Sequence, residues 1–457
     1  MDVLSINGGR PLRGTVRASG SKNAALPIMA ASILADEPVV LADVPDVTDV
    51  NTLALMLGHV GVEVKRRPTG ALHISTLDSA HVTAGAELVQ QMRASFCLLG
   101  PLLAKRGRAV IALPGGCQIG PRPLDLHLQG LSALGADIRI ENGYVVAHAK
   151  SLHGAEMNLS GLHGPTVTGT ANVLMAAVLA RGETVIHGAA REPEIVDLGE
   201  FLISLGAHID GLGTSTLHIR GVQQLGGTGS NIYRVIPDRI ETATLLLAGA
   251  ITGGDVTVRN CRPDHLDATL AVLEDAGVMI DTGRDSIRAA IGHRPLCFHF
   301  NALPHPGVPT DLQPQFTALA AIADGVSTIA DRVFPYRFAH VPELIRLGAN
   351  IAQQKGSVEI TGVEELLHGP TVSVGNQDDS PVSLENPCEL FASDLRACAA
   401  LVLASLAAPG HTLIHHAHHL RRGYESLPEK LHSLGGNAEA QNGACYNSEG
   451  TLLETAA

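Results

Sequence analysis

Along the chain an amphipathic helical stretch ends again and again in Leu-Gly-Ala or a variant, and a short β-branched run follows. The endings are Val60-Gly61-Val62, Leu134-Gly135-Ala136, Leu205-Gly206-Ala207, Ala276-Gly277-Val278, Leu347-Gly348-Ala349 and Leu434-Gly435-Gly436. Successive glycines are 74, 71, 71, 71 and 87 residues apart. A glycine just past a helix lets the chain leave in a left-handed conformation, so six near-regular copies indicate an internal repeat. Each unit reads alike. An Ala/Leu-rich helix, as in 23–34 or 170–179, precedes a short strand such as Val39-Val40-Leu41 or Thr184-Val185-Ile186. A more polar helix then runs to the marker glycine, and two strands close the unit, as in Val62-Glu63-Val64 and Ala71-Leu72-His73-Ile74. Strands alternating with helices predict parallel pairing within a unit, and the closing strand pair predicts antiparallel edges. The period exceeds that of most solenoids, which predicts compact domains of several units. The long last interval places an insertion at 376–387, around Asp378-Asp379-Ser380-Pro381, and the tail after Gly443 is poorly patterned.

Composition agrees with a multi-domain α/β protein: 457 residues, 45% hydrophobic, 17% charged, 49 glycines and no tryptophan. Low charge and high aliphatic content exclude disorder. The formal net charge of −13 argues against general nucleic-acid binding. The start, Met1-Asp2-Val3-Leu4-Ser5, lacks the pattern of a signal peptide. Apolar stretches such as 243–251 are too short to span a membrane. Seven cysteines, at 97, 117, 261, 297, 388, 398 and 445, are odd in number and without C-x-x-C spacing. Reduced thiols and a cytoplasmic location are the expectation.

Charged and polar residues open the first helix of each unit: Lys22-Asn23, Arg93, Thr168-Gly169, Asp238-Arg239, Thr310-Asp311 and Asp394 with Arg396. Six equivalent helix N-termini on one surface would attract phosphate or carboxylate. Basic residues oppose the dipole there, so their placement suggests an anion held by both. The alternative is that Asp238, Asp311 and Asp394 are caps and the basic residues pair with them. The second unit carries Leu113-Pro114-Gly115-Gly116-Cys117-Gln118-Ile119-Gly120-Pro121-Arg122-Pro123, too rich in Gly and Pro for helix or central strand. Cys117 beside Arg122 is a candidate nucleophile or general acid, the alternative being an unreactive loop thiol. Asp125, opening the following helix, reads as a cap. His415, His416, His418 and His419 read as a strand with alternate residues facing opposite ways, which argues against a metal cluster. Neither a Walker loop nor G-x-G-x-x-G is present.

Several segments are specific enough to name a resemblance. They are Ser19-Gly20-Ser21-Lys22-Asn23-Ala24-Ala25-Leu26-Pro27, Met92-Arg93-Ala94-Ser95, Leu113 to Cys117 with Arg122-Pro123-Leu124-Asp125-Leu126-His127, Ala190-Arg191-Glu192-Pro193-Glu194-Ile195-Val196-Asp197, Pro309-Thr310-Asp311 and Asp394-Leu395-Arg396-Ala397. Across essentially the whole chain they resemble the UDP-N-acetylglucosamine 1-carboxyvinyltransferases, of the enolpyruvyl-transferase family. The resemblance implies a two-domain α/β fold, an inside-out α/β barrel of six βαβαββ-type units, three per domain, with the active site in the cleft. One domain would be 22–230, the other 1–21 plus 231–457. The implied reaction transfers the enolpyruvyl group of phosphoenolpyruvate to the sugar 3-hydroxyl by addition and elimination, releasing phosphate. It is the first committed step of peptidoglycan synthesis and needs neither metal nor organic cofactor. Phosphoenolpyruvate and UDP-N-acetylglucosamine are the implied partners.

By the same resemblance Cys117 would be the general acid and the residue alkylated by fosfomycin, and Asp311 the base. Lys22, Arg122 and Arg422 would hold phosphoenolpyruvate, with Arg93, Arg337 and Arg396 around them. Asn23, Arg93, Pro123, Leu124, Asp125, His127, Thr166, Val167, Asp311 and Val333 would contact the nucleotide sugar. The chain departs from the family pattern at Arg421, usually Asp, and at Pro314, usually small. A paralogue acting on another nucleotide sugar, or a non-catalytic homologue, is the alternative. The shikimate-pathway enolpyruvyl transferases lack the cysteine loop.

Overall fold

The computed structural model describes residues 2–114, 124–367 and 387–441, with the backbone of two short paired strands, Cys445–Tyr446 and Leu452–Leu453. Most of the predicted insertion, 376–386, and most of the tail lie outside these residues. All six marker glycines have left-handed φ: 75° at Gly61, 96° at Gly135, 106° at Gly206, 81° at Gly277, 98° at Gly348 and 91° at Gly435. Gly61 shows why no other residue serves, since a Cβ there would lie 2.1 Å from the Asp78 carbonyl oxygen. Each repeat therefore turns from helix into strand at the predicted place.

Six four-stranded sheets result, one per repeat, among the described residues. In the first, Val39–Ala42 pairs antiparallel with Leu72–Thr76, which pairs antiparallel with Val62–Arg66. Parallel pairing, expected within the unit, is instead confined to one edge and comes from far along the chain, Tyr233 lying opposite Leu41. The fourth sheet takes its parallel edge from Arg13–Arg17 beside Asp255–Arg259. The sixth departs furthest from the predicted order. Its hairpin partner is Val3–Gly8, held between Gly410–His415 and Asn437–Gln441. Burial explains the insertion, because Leu4 and Ile6 are fully buried in the second core. The predicted histidine strand stops at His415, opposite Val3. His416 is left-handed, with φ 57°, and His418 and His419 lie on the 3₁₀ turn Ala417–Arg422. Their spacing is therefore not that of a strand.

Two separate apolar cores form. One draws on residues from Ala24 to Val235, the other on Leu4 to Ala18 and Ile240 to Ala438. The Ala/Leu-rich helices are interior. Every residue of Arg239–Ile251 and Gln313–Ala320 is buried, as are all but Asn23 of Lys22–Ala31. Helices apolar on every side belong inside, and the half-buried hairpins cover them. Helices within and sheets without match the expected inside-out arrangement, although the described sheets stay separate rather than closing into one barrel. With few aromatics, close packing rests on small residues; Phe316, edge-on to Phe298 and Phe300 at 5.7 and 5.1 Å, is an exception. Pro314 is accommodated because it falls in the first turn of its helix.

The chain passes between the cores at 18–22 and again at 235–239, and the two passages lie side by side. Ser21 N donates to Ile236 O at 2.7 Å and Asp238 N to Ser19 O at 2.9 Å. A Cβ on Gly20 would lie 1.6 Å from Asp43 O, so the first passage requires glycine. This pairing sets the starts of helices Lys22–Ala31 and Arg239–Ile251 next to each other.

Candidate active site

At these helix starts two of the three candidate caps are caps, and the third acid pairs with basic residues instead. Asp238 caps its helix by accepting from Ile240 N and Glu241 N at 2.8 and 2.9 Å, and its other oxygen accepts from Lys22 N at 3.3 Å. Asp394 caps likewise, accepting from Arg396 N and Ala397 N. Asp311 is no cap. It sits on the 3₁₀ turn Thr310–Leu312 and takes Arg337 Nη1 at 2.7 Å on one oxygen and Arg396 Nη2 at 2.9 Å on the other. Burial would raise its pKa, but Arg396 and Arg337 outweigh burial and hold the carboxyl well below its usual range. Burial also opposes the charge on Arg396, whose ring partner Tyr424 and whose neighbours Asp311 and Asp238 keep it firmly protonated. The Arg396 guanidinium lies 5.2 Å from the Tyr424 ring centroid.

A second anchor faces this one. Lys22 Nζ lies 3.2 Å from Asp49 Oδ2, and Arg422 Nε lies 3.0 Å from Asp49 Oδ1. Lys22 and Asp49 belong to the first core's elements and Arg422 to the second's. Gly423 leaves room for this arrangement, since a Cβ there would stand 3.3 Å from Lys22 Nζ. Four cations, Lys22, Arg337, Arg396 and Arg422, are thus shared between two carboxylates, and Arg337 Nε is buried with no hydrogen-bond partner among the described residues. Burial raises the pKa of nearby Asp238, with Arg396 and Lys22 opposing it. The cluster holds surplus positive charge and spare donors, which suits a multiply charged anion.

On the first core, His127 is 2% exposed. Asn172 Oδ1 accepts from Gly100 N, so its amide donates to Phe96 O and to His127 Nδ1, at 2.9 and 3.0 Å. His127 Nε2–H is then left to donate to Thr168 Oγ1 at 3.1 Å. Thr166 caps the helix Val167–Ala177 through Gly169 N at 3.2 Å. Val167 is exposed and Asp125 opens the helix Asp125–Ala133 without serving as its cap residue.

The structure thus brings together Lys22, Asp311, Arg337, Arg396 and Arg422 from distant parts of the chain. Asn23 follows Lys22 on its helix, Arg93 opens the 3₁₀ turn Arg93–Leu98 packed on that helix, and Val333 N donates to Asp331 Oδ1 at 2.9 Å beside Thr310. Leu124 immediately precedes the helix of Asp125. Cys117, Arg122 and Pro123 lie outside the described residues. Arg421 is exposed, so that departure from the family pattern falls on the surface. Sequence reasoning missed Asp49, which looks like any first-turn acid of the helix Thr48–His59, and missed Asn172, which sets the His127 tautomer. It also missed the buried pair of Arg239 with Glu194, 2.9 Å apart. Among the described residues no cluster of three or more His, Cys, Asp or Glu is placed to hold a metal ion, and no helix is long and apolar enough to cross a membrane.

Comparison with known proteins finds relatives over nearly the whole chain. Residues 6–431 match the family model described as EPSP synthase (3-phosphoshikimate 1-carboxyvinyltransferase). The UDP-N-acetylglucosamine 1-carboxyvinyltransferase of Akkermansia muciniphila is 46% identical over 442 residues, 96% of this chain and 98% of that one. Its namesake in Koribacter versatilis is 46% identical over 438 residues, 95% of each chain. The crystal structure of the enolpyruvyl transferase NikO from Streptomyces tendae superposes with a TM-score of 0.81 at 26% identity, covering 96% of this chain and 98% of that one. An EPSP synthase from Acinetobacter baumannii shares the fold at a TM-score of 0.69 and 18% identity, over 96% of this chain and 100% of that one. With the matched family model spanning nearly the whole chain and both relatives far above the identity that fold alone would give, the chain belongs to the enolpyruvyl (carboxyvinyl) transferase family typified by EPSP synthase.

Proposed function

We propose that this chain transfers the enolpyruvyl group of phosphoenolpyruvate to the 3-hydroxyl of UDP-N-acetylglucosamine, releasing phosphate, in the first committed step of peptidoglycan synthesis. The observation that carries the reading is the four-cation cluster shared between Asp49 and Asp311. Phosphoenolpyruvate brings a phosphate and a carboxylate, and this cluster has the surplus charge to take both. The acceptor is supported by the two relatives at 46% identity, whose name includes that sugar; the solved EPSP synthase at 18% speaks for the fold alone.

In this reading Lys22, Arg122 and Arg422 hold phosphoenolpyruvate, and Arg93, Arg337 and Arg396 surround it. Asp311, kept ionised by its two arginines, takes the proton of the sugar 3-hydroxyl as the oxygen attacks C2 of the enolpyruvyl group. Cys117 delivers a proton to the methylene carbon, making it a methyl, and a tetrahedral ketal results. Loss of phosphate and of one methyl proton restores the double bond, so no metal or organic cofactor is required. Asn23, Pro123, Leu124, Asp125, His127, Thr166, Val167 and Val333 contact the nucleotide sugar. The five described cysteines are free thiols, which supports a cytoplasmic setting.

Phosphate release from phosphoenolpyruvate, measured with and without each acceptor, tests the reading. Release that depends on UDP-N-acetylglucosamine supports it; release that depends on shikimate 3-phosphate, or on no acceptor, overturns it. Fosfomycin should add one adduct, at Cys117, by mass spectrometry.

A further inference from the structure

Outside the cation cluster, a second polar group joins the two cores. Glu425 Oε1 accepts from Asp46 N at 2.8 Å, and Oε2 accepts from Ser19 Oγ at 2.6 Å. Lys430 Nζ donates to the same Ser19 Oγ at 2.7 Å and to Glu241 Oε1 at 2.6 Å, while Glu241 Oε2 accepts from Ser19 N. Ser19 lies in the first passage between the cores, three residues before Lys22. Asp46 is three residues before Asp49, and Glu425 three residues after Arg422. Arg422 and Glu425 on one turn therefore grip Asp49 and Asp46 on the facing turn, at two points with the same spacing. The Asp46 turn is itself held, because Asn51 Nδ2 donates to Asp46 Oδ1 at 2.9 Å.

We infer that Glu425 is a positioning residue for the transfer reaction: by pinning the Asp46–Asp49 turn and Ser19 it sets how far apart Lys22 and Arg422 stand across the cores. The inference rests on the function proposed above. One point of attachment, the Asp49 ion pair, would let the two turns pivot about it. The second removes that freedom and keeps both cations aimed at one anion, a misalignment of about 1 Å being enough to cost a large factor in rate. Glu425 itself is only partly buried and lines a cavity of about 350 Å³ beside the passage. It acts through Asp46 and Ser19 and touches no substrate.

The test compares Glu425→Ala, Glu425→Gln and, on the exposed face of the following helix, Glu429→Ala. Losing the charged acceptor of two hydrogen bonds should lower kcat/KM for phosphoenolpyruvate about tenfold, with KM for UDP-N-acetylglucosamine within about twofold. Glu425→Gln keeps an acceptor for Asp46 N and should recover most of the loss; Glu429→Ala should match the wild type. In an Arg422→Ala background Glu425→Ala should cost less than about twofold more, because there is then no second cation to position. Equal losses in both backgrounds, or equal rises in KM for both substrates, overturn the inference. Amide exchange of the Asp46 segment reads the grip without any turnover: Glu425→Ala should speed it, and unchanged exchange overturns the inference. A wild-type chain without activity on these substrates overturns instead the functional reading and the kinetic role built on it.

Discussion

Arg422 and Asp49 form an ion pair at 3.0 Å between elements of the two cores, and the other oxygen of Asp49 carries Lys22. A single buried carboxylate thus sets the spacing of two cations that come from opposite ends of the sequence. The substrate anion brings its own charge, so what Asp49 contributes is placement. Asp49→Asn keeps the shape but loses two charge-assisted bonds. We expect kcat/KM for phosphoenolpyruvate to fall about 10- to 100-fold, with KM for the sugar nucleotide nearly unchanged, as read by steady-state kinetics with each substrate varied in turn.

Asp311 gives the clearest pH signature at the site. Its folded pKa lies well below the ordinary 3.8, since Arg396 and Arg337 overcome the effect of burial. Its stabilising contribution is therefore fully present above pH 3.8 and is lost as pH falls below that value. Thermal unfolding of wild type and Asp311→Asn should show a constant difference from neutral pH down to the ordinary carboxylate range, narrowing below it. As the proposed base, Asp311→Asn should also lower kcat by about 10²- to 10⁴-fold. A difference that widened on acidification would contradict the ion-pair geometry.

These two acids show what the sequence could reveal. The six glycines, the interior helices and the charged helix starts were all legible, because left-handed exits, all-round apolarity and first-turn chemistry are local properties. Asp311 could be read as a cap or as a partner of basic residues, and only Arg337 from the far end of its own unit and Arg396 from the next, both closing on it, decide between these. Asp49 carried no signal at all, since its partners lie 27 residues before it and 373 after it. The same limit hid the insertion of Val3–Gly8 into the last sheet and the supply of Tyr233–Arg234 to the first. Long-range pairing follows from which apolar faces remain uncovered, and no short stretch of sequence records that.

Asp197, near the second passage between the cores, behaves oppositely to Asp311. Burial raises its pKa from 3.8 to about 6, although it accepts hydrogen bonds from Tyr233 Oη at 2.7 Å and Ile236 N at 3.2 Å. Between these values the folded chain binds more protons than the unfolded chain, so stability rises as pH falls through that window. Relative to Asp197→Asn, the wild type should gain roughly 1–3 kcal/mol between pH 7 and pH 4. Chemical denaturation of both proteins across that range checks the sign.

Arg396 makes the strictest geometric demand. Its Nε and Nη2 reach one oxygen of Asp311 at 3.2 and 2.9 Å while its plane lies over Tyr424. Tyr424 is fixed in turn, its hydroxyl 3.0 Å from Thr244 Oγ1 and 3.2 Å from Gln315 Nε2. Lysine conserves the charge but has neither the fork nor the flat face, and Arg396 itself is buried, 3% exposed. Arg396→Lys should therefore act mainly on kcat, through a displaced Asp311, lowering it by about 10- to 100-fold, while Tyr424→Phe, which keeps the ring, should stay within about threefold of wild type. If Arg396→Lys retained full kcat and altered only KM for phosphoenolpyruvate, Arg396 would serve as a charge alone, and the alignment of Asp311 would have to come from Arg337.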